Sequence, residues 1–140
     1  EMVRIATAGH RAFDVSEIEA TRPGPHYSVE TLRGVRRERP DDDLFFLIGA
    51  DSLADLPFWR EPAAIASLAT VVVANRPGFD PETPVPHLGP DALPFVSVTI
   101  PPIGIASNDL RRRVAEGRSV RYLVPRGVEA YIEAQGLYRG

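Results

Sequence analysis

The chain has 140 residues, 16 basic and 19 acidic, with 44% hydrophobic and 25% charged residues, a composition that predicts one globular domain and excludes a disordered chain. It holds no cysteine and all its cations are arginine. Disulfides, thiolate nucleophiles, a Schiff-base lysine and the lysine of a Walker phosphate loop are therefore excluded. No apolar run reaches the ~20 residues of a membrane span, and the first residues lack the basic start of a signal peptide. A cytoplasmic location follows by default. Residues 1–107 carry 9 arginines against 15 acids, and residues 108–140 carry 7 against 4. That basic end is too sparse for nucleic acid and suits a small anionic ligand.

Met2, Ile5 and Ala6 are spaced for a helix that ends near Gly9. No start signal precedes it, so the chain reads as N-terminally incomplete. Phe13, Val15 and Ile18 suggest a short strand, followed by a loop rich in proline and glycine at 21–25. Ser28 can cap a helix carrying Val29, Leu32 and Val35, which stops before Pro40. The unbroken apolar run Leu44 to Ile48 predicts a strand buried on both faces. Two short helices should follow, over Ser52–Leu56 and Ala63–Leu68, the second with Pro62 in its first turn. Thr70 to Ala74 is the second buried strand, residues 76–94 a long proline-rich loop, and Phe95 to Ile100 the third strand. Helices over Asn108–Glu116 and Pro125–Gln135 stop at Gly117 and Gly136.

Strands alternating with helices argue for an α/β fold with a parallel sheet, and such sheets bind ligands at the carboxyl ends of their strands. Three segments lie there. Gly49-Ala50-Asp51-Ser52 lets a ligand approach the backbone, with Asp51 either accepting from a ribose or capping the next helix. Arg76 is either a phosphate contact or a surface residue in a turn set by Pro77-Gly78. The small-residue loop Ile103 to Ser107 feeds a helix start where N–H groups, Ser107, Asn108 and Arg111 could take an anion; its alternative is an Asn-capped surface helix. Trp59, the single tryptophan, either stacks on an aromatic ligand or packs, and Tyr27-Ser28 is a ligand turn or a staple and cap. His10, His26 and His87 show no metal-ligand spacing, and no G-x-S-x-G elbow occurs.

Taken in order, these segments resemble bacterial nicotinate-mononucleotide adenylyltransferase. The resemblance runs through Pro25-His26-Tyr27-Ser28, Phe46-Leu47-Ile48-Gly49-Ala50-Asp51-Ser52, Pro57-Phe58-Trp59-Arg60, Asn75-Arg76-Pro77-Gly78, Ile105 to Arg111, and Tyr122-Leu123-Val124-Pro125 with Gly136-Leu137-Tyr138. It implies a Rossmann-like nucleotidyltransferase fold, here apparently lacking its first strand-helix unit. The implied activity joins ATP to nicotinate mononucleotide, with Mg²⁺, giving deamido-NAD and pyrophosphate. Tyr27, Ser28, Trp59, Arg60 and Arg76 would then hold the mononucleotide, and Gly49, Asp51, Ile105, Ser107, Asn108 and Arg111 the ATP, with Arg111 as the catalytic cation. Ala106 and Asn108 depart from the family's Ile-Ser-Ser-Thr pattern, and Ser28 stands where Thr is usual. The family's G-G-T-F-D-P-x-H-x-G-H segment has no counterpart, so the resemblance covers its C-terminal two-thirds. The competing readings are a non-catalytic nucleotide-binding fragment or scaffold and another adenylyltransferase such as that of pantetheine phosphate. The tail and loop 76–94 are candidate homo-oligomer contacts.

Overall fold

A computed structural model describes residues 1–53, 55–75, 93–101 and 103–139. The chain divides into two compact units, one of residues 17–102 and one of residues 1–16 with 103–140.

The larger unit is built on three parallel strands in the order β1-β2-β3: β1 (Phe45–Gly49), β2 (Thr70–Asn75) and β3 (Phe95–Thr99). Phe46, Val71 and Phe95 stand in one row across the sheet, and Ile48, Val73 and Ser97 in the next row of the same face. That face meets the helices. Between β1 and β2 run α3 (Ala50–Leu53), a 3-10 turn over Leu56–Phe58, and α4 (Pro62–Leu68). Before β1 lies α2 (Ser28–Glu38), which packs on α4. Val29, Leu32, Leu53, Leu56 and Ile65 join Ile48, Val71 and Val73 in the core. Each such side chain, once buried, contributes ~1.5–3 kcal/mol. Parallel strands need a crossover between them, and the apolar sides of α3 and α4 supply it here.

The opposite face of the sheet corrects one expectation. Phe45 and Leu47 are 67% and 64% exposed, and Val96 is 50% exposed. The apolar run Leu44 to Ile48 therefore has one covered face within the described residues, because α2, α3 and α4 all stack on the same side. Arg36 closes the lower end of this unit. Its guanidinium donates to the carbonyls of Pro40, Asp42 and Leu68 at 3.2, 2.6 and 2.9 Å. The acidic turn after α2 is thereby tied to the end of α4.

The strand expected over Phe13 to Ile18 does not form. Residues 13–17 have no regular structure and run between two turns, one closed by Phe13 N–H donating to the His10 carbonyl and one by Thr21 N–H donating to that of Glu17. Too few residues alternate to build a strand. Ile18 packs on α2, its Cδ1 lying where a β-carbon at Gly34 would stand, which explains a glycine in the interior of that helix.

The smaller unit consists of α1 (Met2–Thr7), α5 (Ser107–Ala115) and α6 (Arg126–Ala134). α1 packs on α6, where a side chain at Gly127 would collide with Ile5. Val120, Val128 and Ile132 form its buried centre. Gly117 and Gly136, the expected stops, adopt left-handed φ of 69° and 60°.

Candidate functional site

The start of α2 and the turn before α4 form two walls of a cavity of about 300 Å³, lined by His26, Tyr27, Ser28, Phe58, Trp59, Arg60 and Ile65. The first wall exists because Tyr27 is extended, at φ −113° and ψ 137°, and its carbonyl accepts the Glu30 and Thr31 N–H groups at 3.0 and 3.2 Å. Ser28 is thus the first helical residue rather than the cap, and α2 has no side-chain cap. Its first N–H groups keep the partial positive charge of a helix N-terminus. The second wall is set by the 3-10 turn. Leu56 is buried, so the residues after it turn outward, Trp59 half-buried and Phe58 exposed. Trp59 meets Phe46 of β1 edge-on, at 6.2 Å and 68°. Arg60 crosses to the first wall, its guanidinium 4.7 Å from the centre of the Tyr27 ring. One cavity therefore offers two aromatic faces, a hydroxyl, helix-end N–H groups and a guanidinium. It suits a flat ring bearing an anionic substituent.

Gly49 ends β1, and Asp51 lies in the first turn of α3. The two touch: a β-carbon at Gly49 would run into Asp51 Oδ1. Glycine here lets the carboxylate fold back over the strand end.

In the smaller unit, α5 begins at Ser107 with Ala106 as its cap residue. This corrects the Asn-capped helix start. Asn108 is second in the helix, and its Oδ1 accepts the adjacent Asp109 N–H at 2.8 Å. Ala106 has no side-chain oxygen, so the first turn of α5 is left without a side-chain cap. Asp109 is turned along the helix, accepting from Arg112 at 2.5 Å and from Arg113 at 3.0 Å. Hydrogen bonds from Arg113, then Arg112, hold its carboxyl below the usual range. Arg111 is exposed and has no ion-pair partner among the described residues. Arg111 and Ser107 line a largely apolar cavity of about 260 Å³ with Leu110, Val114 and Val128. Ile105 is exposed in the loop before the helix.

The structure thus brings Tyr27, Ser28, Trp59 and Arg60 together, pairs Gly49 with Asp51, and groups Ser107 with Arg111. Arg76 lies outside the described residues. Sequence reasoning missed His26, Phe58 and Ile65 as cavity walls; their signal was adjacency to Tyr27 and Trp59, and for Ile65 none. Among the described residues no cluster of three His, Asp or Glu could hold a metal ion. No helix among them is long and apolar enough to cross a membrane.

A probable nicotinate-nucleotide adenylyltransferase of Thermus thermophilus is 48% identical over 139 residues, 99% of this chain and 71% of that protein. The chain belongs to the nicotinate-nucleotide adenylyltransferase family. These are nucleotidyltransferases of NAD biosynthesis. The Thermomicrobium roseum adenylyltransferase is 47% identical over 99% of this chain, which spans 65% of that relative. The solved Plasmodium falciparum nicotinic acid mononucleotide adenylyltransferase, complexed with NaAD, shares the fold. It is 16% identical, with a TM-score of 0.62 over 81% of this chain and 58% of that one. No family model matches the chain.

Proposed function

We propose that the protein transfers the adenylyl group of ATP to nicotinate mononucleotide, releasing pyrophosphate and forming deamido-NAD. The observation that carries this reading is the cavity where Tyr27, Trp59, Arg60 and the uncapped start of α2 converge. A pyridine ring fits between aromatic walls, and its carboxylate is favoured by helix-end N–H groups, the Ser28 hydroxyl and the Arg60 guanidinium. An amide gains less from the same donors, so the acid is the preferred substrate. Arg76 is assigned to the same mononucleotide.

ATP is assigned to two further places. Asp51, beside Gly49, accepts from a ribose hydroxyl. The start of α5, with Ile105, Ser107, Asn108 and Arg111, takes the phosphates, and its first-turn N–H groups other than that of Asp109, which donates to Asn108 Oδ1, support that role. Mg²⁺ enters with ATP as part of the substrate. The chemistry is an in-line displacement. A phosphate oxygen of the mononucleotide bonds to the α-phosphorus as the bond to the pyrophosphate oxygen breaks. No covalent enzyme intermediate is needed, so the protein contributes position and positive charge. Arg111 supplies that charge.

The test is pyrophosphate release from ATP and Mg²⁺ by the natural protein, with nicotinate mononucleotide or its amide analogue as acceptor. Release selective for the acid supports the reading. Equal rates with both acceptors refute the carboxylate assignment, and no release with either refutes the activity.

A further inference from the structure

The two walls of the mononucleotide cavity are tied by an ionic link that lies outside the cavity. Glu61 follows Arg60 directly and sits in the left-handed region, at φ 51° and ψ 58°, just before Pro62 opens α4. A non-glycine residue holds that conformation only when its surroundings fix it. The Glu61 carboxylate is gripped by Arg33, six residues along α2 from Tyr27. Arg33 Nη2 donates to Glu61 Oε2 at 2.7 Å and Nη1 to Oε1 at 3.3 Å, while Nη1 also donates to Glu30 Oε1 at 2.8 Å. The fork thus grips both oxygens of the residue beside Arg60. Glu61 Oε1 in turn lies 3.8 Å from Arg60 Nε.

We propose that Glu30, Arg33 and Glu61 are positioning residues that hold the Trp59-Arg60 turn against the start of α2 and so set affinity for the mononucleotide. The inference rests on the assignment of that cavity above. Its geometry separates it from a stabilising role. Arg33 and Glu61 side chains are 35% and 44% exposed, and exposed ion pairs add little to stability. The same pair joins segments 28 residues apart and ends on the residue next to a cavity arginine. Hydrogen bonding to Arg33 keeps the Glu61 carboxyl below its usual range, so the link is fully charged at neutral pH.

Trp59 is the single tryptophan, which gives a readout independent of activity. The experiment compares Arg33→Gln, Glu61→Gln and the double variant by Trp59 quenching with acrylamide, by thermal melting, and by steady-state kinetics in the natural protein. Expected are greater Trp59 quenching, a nearly unchanged melting temperature, and a KM for nicotinate mononucleotide raised about tenfold. KM for ATP and kcat should stay within about twofold, and the double variant should match the singles. Arg33→Lys keeps the charge without the fork and should recover only part of the affinity. Unchanged Trp59 quenching overturns the link, whatever the kinetics. A change in quenching with unchanged mononucleotide KM overturns its role in binding. A melting temperature that falls in step with kcat and both KM values makes the link merely structural and also overturns it. Absence of any mononucleotide-dependent pyrophosphate release from the unsubstituted protein instead removes the functional assignment, and the role in affinity falls with it.

Discussion

Arg111→Ala separates catalysis from folding. Three consecutive arginines occupy α5, and the structure gives them different work. Arg112 and Arg113 both hold Asp109, at 2.5 and 3.0 Å, whereas Arg111 is exposed and has no ion-pair partner among the described residues. Removing an exposed, unpaired side chain should change stability by no more than ~0.5 kcal/mol, a melting shift of about 2 °C or less. Removing a cation aimed at transition-state charge costs ~3–4 kcal/mol, or about 10²–10³-fold in kcat. Arg112→Ala is the internal control. Its side chain is 63% exposed and Asp109 keeps Arg113, so turnover should stay within about threefold. Arg111→Lys retains charge but loses the planar fork and should fall between, about tenfold down. The assay is pyrophosphate release at saturating nicotinate mononucleotide with ATP varied, read beside a thermal melt of each variant. Turnover of Arg111→Ala within threefold of the parent, or an equal loss in Arg112→Ala, would refute the assignment of the catalytic charge.

Three further outcomes follow from the geometry. Gly49→Ala puts a β-carbon on Asp51 Oδ1 and should swing that carboxylate away, raising KM for ATP about tenfold, the lower end of a charge-assisted hydrogen bond; a KM within twofold would detach Asp51 from ATP. Ile65→Ala removes three carbons from a fully buried site, ~2.4 kcal/mol of transfer plus a cavity, so urea unfolding should show a loss of ~3–4 kcal/mol, and a loss under ~1 kcal/mol would contradict the packing. Asp109 titrates below its ordinary 3.8, so its contribution is present above that pH and lost as pH falls through the depressed value. The urea midpoint of Asp109→Asn should therefore lie below the parent's at pH 6, and the gap should shrink as pH falls below 3.8 through the depressed value; a gap that stays constant over that fall would show that the ion pairs are not its cause.

What could be read ahead of the structure was local. Gly117 and Gly136 end helices because only glycine enters the left-handed region there at low cost, and Pro62 opens α4 because its missing N–H is no loss in a first turn. Tyr27-Ser28, read as a ligand turn or a staple and cap, and Trp59, read as a stacking or a packing ring, line one cavity, and their types alone did not tell these readings apart. What could not be read was everything decided by distant packing. The run Leu44 to Ile48 has no polar alternation, so nothing in it tells a strand covered on two faces from one covered on a single face. The cap positions moved, from Ser28 to Tyr27 and from Asn108 to Ala106, because hydroxyl and amide side chains usually cap and here do not. Phe13 to Ile18 looked extended only because its apolar residues alternate briefly.

The pair Arg33–Glu61 shows why ties of this kind stay hidden. Nothing within α2 announces its partner, and Glu30 at i−3 is a sufficient local explanation for Arg33. Yet a transfer reaction without a covalent intermediate depends on placement, and placement is made by such links rather than by reactive groups. Arg33, Glu61 and Asp109 all have titrations shifted by their partners; Arg33 and Glu61 join two segments beside Arg60, whereas Asp109 pairs only along its own helix, with Arg112 and Arg113. Each of these shifts is caused by hydrogen bonding to an ion-pair partner, so the charge of Arg33 and Glu61 is spent on holding one another beside Arg60.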